Sequence, residues 1–276
     1  MSQTATSLPS EIEGVESEAW LDLFAAAPTA YAASSEVSYK RFVEAGALAH
    51  RTIPMTEFNR LIIGGARGLW NESKFRNAID WLEQHAASNW AVQIAPVTEP
   101  PHVSQWATSN GLEPSGIGWA KWYQLARNVD PPDVTSNIEI IAVTKNLDYQ
   151  FGNLVQRGFG LPAPAALWFT ALVGRPGWHI YLAFSEGRAV AAATMFIKNQ
   201  WAWLGVDTTL EDARGRGAQS SLIARRLSDG LAAGVVGFTA ETASLPPEDG
   251  AGYSSFRNYR RSGFALAYIR RNYKRL

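Results

Sequence analysis

One segment constrains this chain more than any other: Ala213-Arg-Gly-Arg-Gly-Ala-Gln-Ser-Ser-Leu-Ile-Ala-Arg-Arg-Leu227. Upstream lies the apolar run 201–206, which has strand character. Downstream, Ala218, Leu222, Ile223, Leu227 and Leu231 recur at helical spacing, and Gly234 is placed to stop the helix. Two glycines and two arginines therefore stand where a strand hands over to a helix. Glycine lets the backbone turn tightly and bring bare N–H groups close to a ligand. The first helical turn adds unpaired N–H donors and the positive end of the helix dipole. Such a junction suits a phosphate or pyrophosphate. It is not a P-loop, because no Lys follows the glycines. It is not a dinucleotide fingerprint either, because Ser220 stands where a third glycine belongs. The plain alternative is a basic surface turn capping an ordinary helix.

Composition narrows the class. With 276 residues, two domains are as reasonable as one, and 46% hydrophobic content with 11 Trp and 12 Phe is ample for a packed core. Lys+Arg and Asp+Glu both total 25, so no overall field calls for nucleic acid or an anionic membrane. The absence of cysteine excludes disulfides, thiolate metal sites and an acyl-cysteine intermediate. The four histidines (His50, His85, His102, His179) include no pair at helical ligand spacing, so no metal is expected. No apolar run approaches the ~18 residues of a membrane span, and the start lacks a secretory core. The expectation is a soluble cytoplasmic protein with a frayed start over residues 1–14.

Residues 18–27 and 37–51 look helical, 58–63 a strand, 90–95 a strand, 102–109 a helix and 118–125 an aromatic strand. Asn71 can cap a helix in which Phe75, Ala78, Ile79 and Leu82 share a face. Paired prolines among polar residues make 128–136 the linker candidate. Beyond it, 138–144 reads as a strand, 147–157 and 165–173 as helices, and 178–184, 189–197 and 201–208 as a meander. After the glycine loop and its helix come a strand at 236–241, a helix at 254–262 and a long strand at 264–273.

Arg214-Gly215-Arg216-Gly217-Ala218-Gln219 resembles the acyl-CoA loop of the GNAT acetyltransferase superfamily, Arg/Gln-x-x-Gly-x-Gly/Ala, with Gln219 replacing the usual small residue. The order of elements from residue 137 onward is that of a GNAT domain. Tyr259-Arg-Arg-Ser-Gly-Phe264 is similar to the superfamily's Tyr-x-x-x-Gly-Phe, and the region 255–273 looks like that of a bacterial tandem-GNAT subgroup. The run 91–125 echoes 236–273 in element order and in the Gly-apolar stops at Asn110-Gly111-Leu112 and Ser262-Gly263-Phe264. The first half carries Gly64-Gly-Ala-Arg-Gly68 where the loop belongs, which does not fit the motif. The resemblance thus implies an α+β (α/β) protein of two tandem GNAT-like domains, each a mostly antiparallel twisted sheet flanked by helices. Residues 15–127 would be a degenerate copy and 137–276 the acyl-CoA-binding catalytic domain.

The same resemblance implies direct transfer of an acetyl group from acetyl-CoA to an amine on a small molecule or peptide, by a monomer or homodimer. Thr208, Thr209, Leu210, Arg214, Gly215, Arg216, Gly217, Ala218, Gln219 and Ser220 would bind the cofactor, the pantetheine running beside Asp207–Leu210 like an added strand. An amine of pKa near 10 must lose a proton before attack. Glu241, ending the strand after the cofactor helix, is the first candidate base and Asp207 the second. Each reads equally as a solvated strand-end carboxylate, and a water chain is the other route. Tyr259 stands where the superfamily often places the phenol that protonates the departing thiolate. A pseudo-enzyme that binds acyl-CoA, or only a partner protein, without turnover is the alternative to an enzyme. Trp201 and Trp203 face one side of a strand and read as core. Arg270, Arg271, Lys274 and Arg275 read as a solvated edge strand or as a landing site for the adenosine 3′-phosphate or an acidic partner.

Overall fold

The computed structural model describes residues 8–42, 45–63, 72–95, 103–130, 137–244 and 253–275. The first half contains helix α1 (Leu8–Ala25), α2 (Thr29–Ser34), strands β1 (Val37–Phe42), β2 (Ala45–His50) and β3 (Arg60–Ile63), α3 (Glu72–His85), β4 (Ala91–Ile94), α4 (Val103–Ser109) and β5 (Leu112–Leu125). The second contains β6 (Glu139–Ala142), α5 (Asp148–Gly158), α6 (Ala165–Thr170), β7 (Trp178–Ser185), β8 (Arg188–Lys198), β9 (Trp201–Thr209), α7 (Ala218–Ala232), β10 (Gly237–Ala243), α8 (Tyr253–Arg261) and β11 (Ala265–Arg275).

The eleven strands of the described residues join one sheet in the order β1-β2-β3-β4-β11-β5-β10-β9-β8-β7-β6. The halves repeat each other. β3 and β4 are parallel, as are β9 and β10, and the other neighbours are antiparallel. The closing strands are exchanged: β11 pairs with β4 of the first half, and β5 pairs with β10 of the second. The tandem α+β architecture is therefore present as one continuous sheet. Strands of the two halves interleave at its middle, and residues 131–136 of the expected linker lie outside the described residues.

Strand alternation sorts the helices into two layers. On one face α1, α2, α5 and α6 bury Trp20, Phe24, Tyr31, Phe151 and Trp168 against Leu48, Ile62, Ile180, Leu182 and Trp203. The residues between, which point the other way, meet α7 and α8 in the second half (Leu222, Ile223, Leu227 and Tyr259 on Ala202, Leu204, Phe238 and Ala240). In the first half they meet α3 and α4 (Phe75, Ile79 and Leu82 on Ala47, Leu61 and Val92).

Three expectations are corrected. Residues 8–14 are not frayed: they are the first turns of α1, with Ile12 and Glu13 fully buried. Residues 37–51 are not a helix but the β1–β2 hairpin, registered from Val37↔His50 to Phe42↔Ala45. The alanines of β2 carry high helical propensity, yet burial of its residues on both faces decides the matter, as tertiary context commonly does. The basic tail is not an edge strand. β11 lies inside the sheet, and Arg270 has no exposure at all. β5 also begins six residues before the expected 118. Gly116 and Gly118 adopt positive φ within it, and at Gly118 a Cβ would stand 2.6 Å from the Arg270 carbonyl. Trp201 and Trp203 are buried core residues, as expected.

Candidate functional site

β9 and β10 pair from Trp201↔Gly237 to Leu204↔Ala240 and then part. β10 continues along β5 as far as Ala243↔Trp119, and β9 continues along β8 to Thr209↔Ala191. Beyond Leu204 the β10 side of β9 has no strand partner among the described residues, so a wedge opens within the sheet. At its mouth β9 bulges. Between Thr208↔Ala192 and Gly205↔Thr194 it carries one residue more than β8, and Val206 takes φ +54°. A β-branched residue in the left-handed region is strained and must be held by its surroundings.

From the same end of β9 the chain runs through Leu210, whose N–H bonds the Val190 carbonyl, into the glycine loop. Gly215 and Gly217 take φ +78° and +88°, and Gly217 is the N-cap of α7 with no side chain capping the helix. The first N–H groups of α7, at Ala218, Gln219 and Ser220, are thus left for an outside acceptor. Arg214 and Arg216 are exposed beside them, Arg214 donating from Nε to the Thr209 carbonyl at 3.4 Å. Thr208 is buried, its hydroxyl against α5, where a Cβ on Gly158 would meet Oγ1 at 1.9 Å. Gln219 turns its side chain away from the loop. It donates to Ser255 Oγ and accepts from Asn258 Nδ2, both at 2.9 Å, tying the start of α7 to α8. The substitution of Gln219 for a small residue therefore leaves the loop's backbone clear.

The structure brings Asp207 and Tyr259 together but separates them from Glu241. Arg226, fully buried on α7, grips the Asp207 carboxylate with two bonds of 2.6 and 2.8 Å, and Tyr259 donates its hydroxyl to the same carboxylate at 2.9 Å. Burial first, and then the Asp207 charge, push the Tyr259 phenol far above its ordinary range. The Tyr259 hydroxyl, expected as the acid for a departing thiolate, is thus committed to Asp207 in this arrangement. Asp207, the second candidate base, is enclosed by these two partners.

Glu241 points to the opposite face, into a buried cluster built by both halves. Its carboxylate meets Arg60 of β3 at 3.2 Å, Lys121 of β5 at 3.7 Å, and Arg270 of β11. Arg270 also binds Glu13 and Glu16 of α1 at 2.6 Å each, and Lys121 binds Glu16. Arg60 lies 4.4 Å over the Trp20 ring and donates to Gln93 at 2.8 Å. Three carboxylates thus oppose three cations. Burial alone would raise the Glu241 carboxyl, but Arg270, Arg60 and Lys121 outweigh it and bring it down to about 2. Glu241, expected as the general base, thus has its carboxylate paired with cations from three other strands.

Arg226 and this cluster were missed in the sequence. A signal existed, since Arg226 lies one turn after Leu222 and beside Leu227 on the apolar stripe of α7. Among the described residues no group of His, Cys, Asp or Glu could hold a metal, and no helix is long and apolar enough to cross a membrane. The Gly64–Gly68 run lies outside the described residues.

The site is thus a parallel pair that splays behind a bulge, with a glycine loop feeding an uncapped helix. The chain resembles a GCN5-related N-acetyltransferase from Kribbella flavida at 12% identity, covering 98% of this chain and 96% of that one with a TM-score of 0.66. It also resembles a tandem GNAT protein from the clavulanic acid biosynthesis pathway (15% identity, 98% and 95% covered, TM-score 0.53). A third likeness is to a GCN5-related N-acetyltransferase from Sphaerobacter thermophilus (17% identity, 78% and 72% covered, TM-score 0.55). No family model and no curated protein matches the sequence. The chain has the tandem GNAT fold.

Proposed function

We propose that this protein is an acyl-CoA-dependent N-acyltransferase that moves the acetyl group of acetyl-CoA directly to an amine. The observation that carries the reading is the junction of the sheet wedge with the uncapped start of α7. The N–H groups of Arg216 through Ser220 would take the pyrophosphate, and the unpartnered edge of β9 from Asp207 to Leu210 would take the pantetheine amides. The amine nitrogen bonds the thioester carbonyl carbon, the C–S bond breaks, and the sulfur leaves as thiolate to become free CoA. With Glu241, Asp207 and Tyr259 held in buried pairs, the ammonium proton leaves through water or before binding. The rate should then rise with pH along the acceptor's own titration. For two accepted amines of different pKa, the inflection of kcat/KM should move with the amine; one fixed inflection for both would restore an enzymic base.

Gly217→Asp tests the loop. Aspartate tolerates the left-handed region better than most residues and is a good N-cap, so the protein should stay folded. Its carboxylate would occupy the anion site, and CoA affinity by calorimetry should fall more than tenfold, above ~1.4 kcal/mol. Unchanged affinity would remove the loop assignment. The same three locked side chains favour a second reading, a pseudo-enzyme that binds acyl-CoA without turnover. Release of free CoA from acetyl-CoA across a panel of amines separates the two.

A further inference from the structure

We infer that Asp207, Arg226 and Tyr259 form a strut that holds the β9 bulge in its left-handed form and so shapes the pantetheine end of the acyl-CoA groove. The inference rests on the acyl-CoA reading, but its evidence is the hydrogen-bond geometry. Asp207 is the residue after Val206, whose φ is +54°. A strained β-branched residue persists only where neighbouring contacts over-determine it. Those contacts are present on both sides of the bulge. Arg226 binds Asp207 with two nitrogens and sends Nη1 to the Thr194 carbonyl at 2.9 Å, and Thr194 Oγ1 donates to the Gly205 carbonyl at 2.9 Å. The residues flanking Val206 are thus bound, one through a carboxylate and one through a carbonyl, to the same pair, Thr194 and Arg226. The Arg226 Nε closes onto the Leu222 carbonyl of its own helix at 3.1 Å, which fixes the guanidinium. Tyr259 adds α8 through its bond to Asp207.

The strut therefore links three parts of one groove: the bulged edge of β9, the helix whose N-terminus faces the loop, and α8, which Gln219 also grips. The three residues are positioning residues. They set where the backbone groups of β9 stand, and they touch neither thioester nor amine.

The test compares two ligands that differ only in the part the strut shapes. CoA spans the loop and the wedge, whereas adenosine 3′-phosphate 5′-diphosphate lacks pantetheine and reaches the loop alone. Tyr259→Phe removes one oxygen, and Asp207→Asn removes the charge that orders Arg226. CoA affinity should weaken about threefold in Tyr259→Phe and about tenfold in Asp207→Asn, the range of one neutral and one charge-assisted hydrogen bond. Nucleotide affinity should stay within about twofold of wild type. Without ligand, amide exchange at residues 206–209 should quicken in both variants while that of α7 is kept. Equal losses for both ligands, or unchanged CoA affinity in both variants, would overturn the inference. So would unchanged exchange at 206–209 in a protein that binds CoA. Wild-type protein that binds neither ligand overturns the acyl-CoA reading and this role with it. If Asp207→Asn fails to fold, Tyr259→Phe carries the comparison.

Discussion

Glu241 shows how far a single position can be read. Its place on the strand after α7 was legible, although that strand runs on to Ala243. Its chemistry was not, because Arg60, Lys121 and Arg270 come from three other strands and no local spacing brings them together. Removing the carboxylate should therefore act on stability. Glu241→Gln leaves three cations against two carboxylates in a buried cluster, a change that typically costs ~3 kcal/mol or more. The Tm should drop by several degrees, with little change in kcat for protein that remains folded. A hundredfold loss of kcat at unchanged Tm would return Glu241 to the chemistry. The pH dependence has a fixed sign. The folded carboxyl lies near 2, below its ordinary 4.5, so its contribution is complete above about 4.5 and is lost as pH falls toward 2. His50 adds an earlier loss. Buried and held near 4 instead of 6.5, it resists protonation in the fold, so stability declines between about 6.5 and 4.

At the scale of elements, the strands of the second half and the loop–helix unit were legible because their apolar spacing and glycines are local signals. The hairpin β1–β2 was not, since an alanine-rich strand differs from a helix only in what covers it. α1 was half legible: residues 18–27 read as a helix, but residues 8–14 read as a frayed start, and the buried Glu13 and Glu16 gave no signal of their own. Their partners, Arg270 and Lys121, lie far along the chain. Deletion of residues 1–14 should thus be harmful. It removes Ile12 from the core and Glu13 from Arg270 and Tyr268, whose hydroxyl donates to Glu13 at 2.8 Å. Chemical denaturation should show a loss of several kcal/mol; an unchanged midpoint would mean that α1 contributes little.

The whole molecule was legible as two related halves, and the exchange of their last strands was not. Nothing in β5 or β11 names its neighbour, because either would present a similar alternating face to either half. The exchange predicts that residues 137–275 expressed alone will be poorly soluble. They would lack β5, leaving β10 and β11 without the strand that joins them, and would expose the apolar surface that α1 covers. Coexpression with residues 1–136 should rescue solubility and yield a stable complex on gel filtration. A soluble, monomeric second half would mean that β11 can close directly onto β10.

The exchanged strand also has a consequence in time. A ribosome delivers β11 after every other strand of the sheet, yet its place is near the middle, between β4 and β5. Until it emerges, β4 keeps an open edge and the buried carboxylates of α1 wait for Arg270. The first half therefore cannot mature as an independent unit during synthesis, as leading domains commonly do. Both halves are completed by the same late event, so a nascent chain stalled before Ala265 carries two unfinished sheets instead of one finished domain.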